Sequence, residues 1–324
     1  MNVRSRPARA LVAALTLCAG TAAAQTYPTH PVTIVEPFPP GGAGDVVVRL
    51  MAQELTKVMG GSFIVDNRAG AAGAIGTEYV SRAQPNGYTL LLTSSSAMSI
   101  TPHLAAKPLY DPFANFTPII NVAYATNELV VTASLPYKSV AEIIAAAKAA
   151  PGKLTFASNG AGTLSHLMGE MFMQQAGIKM LHVPYKGAAP AVADTVAGQV
   201  SLLFTNYASV APMARAGKLR GIAITSLKPT PLAPGLPTIA QSGLPGFEAN
   251  QWWGLWGPAG LPQTIVQQLN TAANKAFANP ENIKRFNEQG VELSGGTPAD
   301  LTAYLRADYE RWGKVIKTAG IKTE

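Results

Sequence analysis

The sequence predicts an α/β protein of two similar lobes, and three observations carry that prediction. Strand-like and helix-like runs alternate almost from end to end. Several strand runs are apolar on both faces, as strands covered by helices on either side must be. A series of elements also recurs once, at an offset of 112 to 118 residues. A chain of 324 residues has room for about two domains at roughly 150 residues each.

The first series opens with the strand run Val32–Glu36, followed by a helix over Asp45–Met59. In that helix Val47, Leu50, Met51, Leu55 and Val58 recur at three- and four-residue spacing, which gives one apolar face. A strand at Phe63–Asp66, a helix at Ala74–Ala83 and a strand at Tyr88–Thr93 complete the series. The strand Leu129–Thr132 and the helix Val140–Ala149 come next. The second series then runs through Leu154–Ala157, Thr163–Ala176, Met180–Pro184, Pro190–Ala197 and Val200–Thr205, with Val210–Ala216 and Leu219–Thr225 behind it. Gly44 and Gly162 are offset by 118 residues, as are Val65 and Val183, while Gly70 and Gly187 are offset by 117.

The C-terminal part reads as helices at Thr264–Ala278 and Ala299–Ile316, with Pro280 opening a short one between them. It holds too little strand for a third sheet. The chain is therefore expected to cross back near Phe247–Trp256 and to pack these helices on the first lobe. The predicted organisation is a discontinuous first lobe of residues 25–124 plus 248–324, a second lobe of 125–247, and mostly parallel sheets. Hinge crossings fall near Asn121–Asn127 and Gly246–Trp253, and the cleft between the lobes is the natural ligand site.

Residues 1–24 read as a cleavable export signal. Arg4, Arg6 and Arg9 precede the apolar run Leu11–Cys18, and Thr21-Ala22-Ala23-Ala24 offers small residues for cleavage near Ala24. Leu17 stands before Cys18, where a lipid-anchoring signal wants a small residue. The expected location is the periplasm. Cleavage removes the sole cysteine and lowers the net charge from +7 to +4, since three arginines and no acids leave. No disulfide or thiol chemistry then remains. The isolated basic residues, such as Lys218 with Arg220, are no nucleic-acid footprint. At 48% hydrophobic and 13% charged, the chain is neither disordered nor a coiled coil.

Four loops are candidates for ligand contact. Pro37-Phe38-Pro39-Pro40-Gly41-Gly42-Ala43-Gly44-Asp45 joins the first strand to the first helix. Its glycines allow positive φ and close backbone approach, and the helix start beyond offers free N–H groups to an anion. Asp45 would repel an anion placed directly over it, so its expected job is to cap the first turn. Ala157-Ser158-Asn159-Gly160-Ala161-Gly162-Thr163 holds the matching place in the second lobe. Gly160-Ala161-Gly162 does not complete a dinucleotide fingerprint, because Ser165 occupies the third glycine position and no acid follows about twenty residues on. Thr93-Ser94-Ser95-Ser96 offers hydroxyls, and Tyr185-Lys186-Gly187 offers amides and one ammonium, both at carboxyl ends of strands.

Enzyme constellations are weak. There is no Gly-x-Ser-x-Gly elbow and no His-Glu-x-x-His helix. His166 and Glu170 sit four apart without an evident third metal ligand, and His30, His103 and His182 are scattered. No metal and no cofactor is expected. Trp252, Trp253 and Trp256 suit either a pocket floor or core packing.

At this point the chain resembles a known family. Tyr27-Pro28 through Pro31-Val32 and Pro37–Gly42 with Asp45 resemble the opening of the tripartite tricarboxylate transporter receptors, the Bug-type extracytoplasmic solute receptors. The likeness continues through Asn67-Arg68, Pro85–Leu90, Tyr110-Asp111-Pro112, Pro151-Gly152, His182–Gly187, Pro237-Thr238 and Gly257–Gly260. It implies a two-lobed fold like that of type II periplasmic binding proteins. It also implies a non-catalytic, monomeric receptor that closes on a small organic carboxylate and presents it to a membrane permease. Backbone amides and ordered water near the two strand–helix loops would hold the carboxylate. Carried onto this chain, those are Phe38, Gly41, Gly42, Ala43, Gly44 and Asp45 opposite Ser158, Asn159, Gly160, Gly162 and Thr163, with Lys186 and Gly187 nearby.

The chain departs from the family pattern at Thr126-Asn127-Glu128, where a Pro-centred or apolar segment is expected, and Asn159 and Asn206 add polar groups. Asn127, Asn159 and Asn206 are therefore the expected selectivity positions, Ser95 and Ser96 are expected ligand contacts, and citrate is not assumed. A dicarboxylate, a tricarboxylate and an aromatic acid all stay open as ligands. A sensor feeding a signalling protein and a secreted hydrolase stay open as other functions.

Overall fold

The computed structural model describes residues 27–321, so the expected export signal and its cleavage point lie outside the described residues. The first series appears as β1 (Val32–Glu36), α1 (Ala43–Met59), β2 (Phe63–Asn67), α2 (Ala74–Ser81) and β3 (Thr89–Ser94). A short helix α3 (Thr101–Leu104) and a long strand β4 (Phe116–Ala125) lead to the first crossing. The other lobe holds β5 (Asn127–Thr132), α4 (Val140–Ala149), β6 (Thr155–Ser158), α5 (Leu164–Ala176), β7 (Leu181–Pro184), α6 (Ala188–Val196), β8 (Leu202–Asn206), α7 (Tyr207–Arg215) and β9 (Leu219–Ile224). The chain returns as β10 (Gln251–Pro258) and ends in α8 (Gln263–Phe277), α9 (Pro280–Glu288), β11 (Glu292–Gly295) and α10 (Pro298–Ala319).

The internal duplication is real at the level of topology. One sheet runs β2-β1-β3-β10-β4-β11 and the other β7-β6-β8-β5-β9. In each, the first strand of the series sits between the second and third, and a strand delivered by the crossing comes next. The crossing strands also correct the expectation of mostly parallel sheets. β10 is antiparallel to β3 and β4, and β5 is antiparallel to β8 and β9. The βαβ strands all run toward the cleft, so a strand that enters its sheet from the cleft must run away from it. β4, β10 and β11 carry no clean strand signature: Pro118 and Asn121 interrupt the first, and the second resembles a linker rich in tryptophan.

Alternation along β1 sorts its side chains. Val32 and Ile34 join Val47, Met51 and Leu55 of α1 and Leu269 of α8 in one core. Val35 joins Trp252, Trp256, Leu301 and Leu305 on the opposite face. Period two therefore puts Glu36 on the α1 face. In the second lobe α4 and α5 cover one face with Ile143, Leu167 and Phe172. Ala191 and Val210 of α6 and α7 cover the other.

The C-terminal helix packs on both lobes. Leu301 and Leu305 of α10 lie in the first-lobe core, but Trp312, Val315 and Ile316 lie in the second-lobe core. A buried aliphatic side chain stabilises by roughly 1.5–3 kcal/mol, so the last turns of α10 contribute substantially to a lobe whose sheet they never join. A capping box between Thr297 and Asp300 starts this helix. The Gln174 side-chain amide donates to the Val315 carbonyl at 3.1 Å near its end. The two lobes thus share a helix as well as two strand crossings.

Candidate functional site

Four helices begin at the cleft, because every βα turn of a parallel strand ends there. Gly42 and Ala43 at the start of α1, Thr163 and Leu164 at α5, Gly187 and Ala188 at α6, and Asn206 with Ala208 at α7 all line one cavity of about 860 Å³. Each start presents N–H groups with no intrahelical acceptor and the positive end of the helix dipole. The lining includes Glu36 and Asp45 but no lysine, arginine or histidine. An anion in this cleft would be met by amides, hydroxyls and dipoles rather than by an ion pair.

The first-lobe loop is organised by Asp45. Its carboxylate accepts from the Gly41 amide at 3.1 Å, from Arg49 Nε at 3.0 Å and from Asn67 Nδ2 at 3.1 Å. Asn67 Nδ2 also donates to the Phe38 carbonyl at 3.2 Å. The Arg49 guanidinium holds the Asp45 carboxyl below the usual carboxylate range. Asp45 does not cap α1 as expected, since the helix starts at Gly42 without a side-chain cap; it ties the Gly41 amide to Arg49 and Asn67 instead, and its charge is compensated from behind. Positive φ in this loop falls at Gly41 (+88°), whereas Gly42 has an ordinary φ of −82°.

The second-lobe loop is organised differently. The Asn159 amide donates to Ser165 Oγ at 3.2 Å, the Gly160 amide to Ser158 Oγ at 3.2 Å, and the Gly162 amide to His166 Nδ1 at 3.1 Å. Thr163 Oγ1 accepts from the His166 amide and donates to the Gly160 carbonyl. Ser158 Oγ lies 2.6 Å from His182 Nε2, and the His166 and His182 rings stack at 3.8 Å. Burial, followed by the neighbouring His166, pushes His182 down to about 4.

Of the expected contact residues, Phe38, Gly41, Gly42, Ala43, Gly44, Asp45, Ser96, Asn127, Asn159, Thr163, Gly187 and Asn206 line the cleft. Five do not. Ser95 is fully buried where the chain turns after β3, and Ser158 is buried against His182. Gly160 and Gly162 are folded into the loop's own hydrogen bonds. Lys186 is exposed, and its neighbour Gly187 lines the wall instead. Asn127 is chiefly a hinge residue: its Nδ2 donates to the Ala249 carbonyl at 2.8 Å, which binds one crossing to the other. Thr225 Oγ1 reaches the same carbonyl at 2.9 Å.

Ser94 of a candidate loop and Trp253 also line the cleft, together with residues that the sequence reading missed, among them Glu36, Met168, Thr205, Ser209, Gln251 and Gln289. Glu36 had a signal, as an acid closing an otherwise apolar strand. Trp253 separates from its neighbours by strand alternation: it joins the α1-side core, while Trp252 donates to Asp308 at 2.8 Å behind the sheet. Gln289 arrives from the end of α9, which no local pattern announces. Among the described residues, no three His, Cys, Asp or Glu side chains converge as metal ligands, and no helix is long and apolar enough to cross a membrane.

Comparison with known proteins agrees with this architecture. The chain is 37% identical over 291 residues to the UPF0065 protein in the tcbD-tcbE intergenic region of Pseudomonas sp. strain P51, covering 90% of this chain and 86% of that protein. It is 35% identical to Protein BugT of Bordetella pertussis, covering 94% of both. Among solved structures, R. palustris Rpa4515 with adipate superposes with a TM-score of 0.78 at 38% identity, over 91% of this chain and 99% of that one. MatC (Rpa3494) from Rhodopseudomonas palustris with bound malate gives 0.73 at 28% identity, over 90% and 100%. The family model for the tripartite tricarboxylate transporter family receptor matches residues 47–321. With two lobes, two crossings and a cleft edged by helix N-termini, the chain belongs to the tripartite tricarboxylate transporter receptor family.

Proposed function

We propose that this chain is a periplasmic solute receptor that captures a small organic carboxylate between its lobes and delivers it to a permease of the tripartite tricarboxylate type. The observation that carries the proposal is the cleft itself: four helix starts, many amide and hydroxyl groups, and no cationic side chain. Such a lining favours an anion with several acceptor oxygens. Neighbours seen with adipate and with malate support an acyclic dicarboxylate ahead of the tricarboxylate and aromatic alternatives. The first-lobe contacts are Phe38 and Gly41–Asp45. The second-lobe contacts are Asn159, Thr163, Gly187 and Asn206. The export signal read at residues 1–24 supports the periplasmic placement. The role is capture and delivery, without catalysis.

A melting screen of the mature protein against mono-, di- and tricarboxylates, sugars and amines tests this. A carboxylate at 100 times its Kd stabilises the folded state by about 2.7 kcal/mol. For a chain of this size that is a rise of several degrees in Tm. A shift with sugars or amines and with no carboxylate would overturn the proposal.

A further inference from the structure

Glu36 closes β1 on the α1 face and lines the cleft, yet it is fully buried and neither carboxyl oxygen has a hydrogen-bond partner among the described residues. A buried polar group without a partner is costly, so an orphaned carboxyl at the floor of a binding cleft calls for a partner that arrives with the ligand. Gly44 makes the room. A Cβ there would stand 2.3 Å from Glu36 Oε1 and 3.1 Å from Trp253 Nε1, so carboxyl, indole N–H and the first turn of α1 meet at one point.

We propose, resting on the carboxylate-receptor reading, that Glu36 is a specificity-determining residue whose neutral acid form donates a hydrogen bond to a carboxylate oxygen of the ligand seated on the α1 N-terminus. An O–H to carboxylate bond is charge-assisted and among the stronger hydrogen bonds available. An ionised Glu36 would instead face the ligand as a like charge. The cleft consequently takes carboxylates in the acid form of the receptor and loses them as Glu36 ionises.

The surroundings favour the acid form. Burial, with Asp45 adding a smaller push, raises Glu36 to about 8. On α1 the facing charges are Asp45 and its partner Arg49, 2.9 Å apart. β2 sets Asn67 opposite Glu36, beside the Asp66–Arg68 pair. β3 brings Ser94, β10 brings Gln251 and Trp253, and the facing second-lobe wall brings Asn127, Asn159, Thr163 and Asn206, all uncharged. Among the described residues that line the cleft, none is a cation that could hold Glu36 ionised.

The test is calorimetric titration of the mature protein with adipate, malate and benzoate at pH 6, 7, 8 and 9. Each ligand carries at least one ionised carboxylate across this range, and both carboxylates of adipate and malate are ionised from about pH 7 upward, where the fall is read. Binding should be constant at pH 6–7 and then fall toward tenfold per pH unit above about 8. In Glu36→Gln, which keeps a donor but cannot ionise, the profile should be flat. Binding that does not fall with pH in the unmodified protein, or an alkaline fall that persists in Glu36→Gln, overturns the Glu36 proposal and leaves the receptor reading standing. No binding of any of the three at pH 6, with none of the wider carboxylate panel shifting the melt, overturns both. A flat profile in the unmodified protein overturns the proposal whether or not the variant folds, and a fall that Glu128→Gln abolishes overturns it as well.

Discussion

The two strand–helix loops that face each other across the cleft hold equivalent places in a duplicated topology, yet they are built in opposite ways. In the first lobe one carboxylate, Asp45, gathers Gly41, Arg49 and Asn67 from below, and α1 starts at Gly42 with no side-chain cap. In the second lobe the amides of Asn159, Gly160 and Gly162 already donate to Ser165, Ser158 and His166. Toward the cleft the first loop therefore leaves the backbone N–H groups at the α1 start open, whereas the second ties the amides of Asn159, Gly160 and Gly162 to side chains. Duplication of topology does not carry duplication of chemistry.

Covering the exposed amides gives the largest expected effect. Gly42 has an ordinary φ, and a Cβ there would find nothing nearer than the Pro39 carbonyl oxygen at 3.9 Å. Gly42→Val should therefore fold normally and place its branched side chain over the α1 start. Adipate affinity should fall a hundredfold or more, with the circular dichroism and melting curve little changed. Affinity within threefold of the parent would place the carboxylate elsewhere.

Asp45→Ala attacks the same loop from behind and should act on both stability and binding. Removing a buried acceptor shared by three donors costs about 1–3 kcal/mol, read as a lower Tm, and should weaken adipate binding about tenfold. The Asp45 carboxyl sits below its ordinary value, so its contribution is complete above the unfolded pKa of roughly 4 and is lost as pH falls through the lower folded value. The variant should accordingly lack part of the acid-induced loss of stability seen in the parent. An identical acid limb in both would mean that the Arg49–Asp45–Asn67 cluster carries little energy.

Much of this was legible in the sequence, and the rest fails for identifiable physical reasons. Local periodicity marks α1, α5, α8 and α10, whose apolar stripes face a core. It is blind to β4 and β10, because strands buried in the middle of a sheet by long-range pairing need not alternate, and Pro118 and the tryptophans imitate a linker. The cleft loops were visible as Gly-rich segments. Which of their atoms face the cleft was not, since the Ser158–His182 bond joins residues by tertiary geometry and the four-residue step from Gly162 to His166 does not reveal that the ring accepts from the amide. Glu36 is visible in the sequence only as an acid closing an apolar strand; its place at the cleft beside Gly44 is set by the fold.

Each lobe buries a glutamate held well above the ordinary carboxylate value. Glu36 and Glu128 are both enclosed and both raised to about 8, mainly by burial, but Glu128 lies against Gly221 in the second sheet and does not line the cleft. With folded values above the ordinary carboxylate value, each group leaves the protein most stable when protonated and destabilises it as pH rises from about 4.5 to about 8. Glu36→Gln and Glu128→Gln should each flatten part of the fall in Tm between pH 5 and pH 8, by several degrees. Glu128→Gln should keep the alkaline loss of adipate binding. If it abolished that loss, the proton reporter would sit in the second lobe.

The smallest expected effect belongs to Lys186, the lone cation among the four candidate loops. It stands on the second-lobe side, exposed, while Gly187 beside it supplies the wall. Its ammonium is free to remain hydrated, and an exposed charge at that remove is screened within about 8 Å at physiological ionic strength. Lys186→Met should change adipate affinity by no more than about twofold, roughly 0.4 kcal/mol on the scale where tenfold is 1.4. For the same reason, raising salt from about 50 to 300 mM should weaken binding only slightly, because helix-end partial charges act over short range inside the cleft. A loss of thirtyfold or more in Lys186→Met, with an intact fold and a steep salt dependence, would mean that closure swings Lys186 onto the ligand. The second lobe would then contribute a charge clamp, and the contrast between an amide-bearing first loop and an uncharged second wall would have to be redrawn.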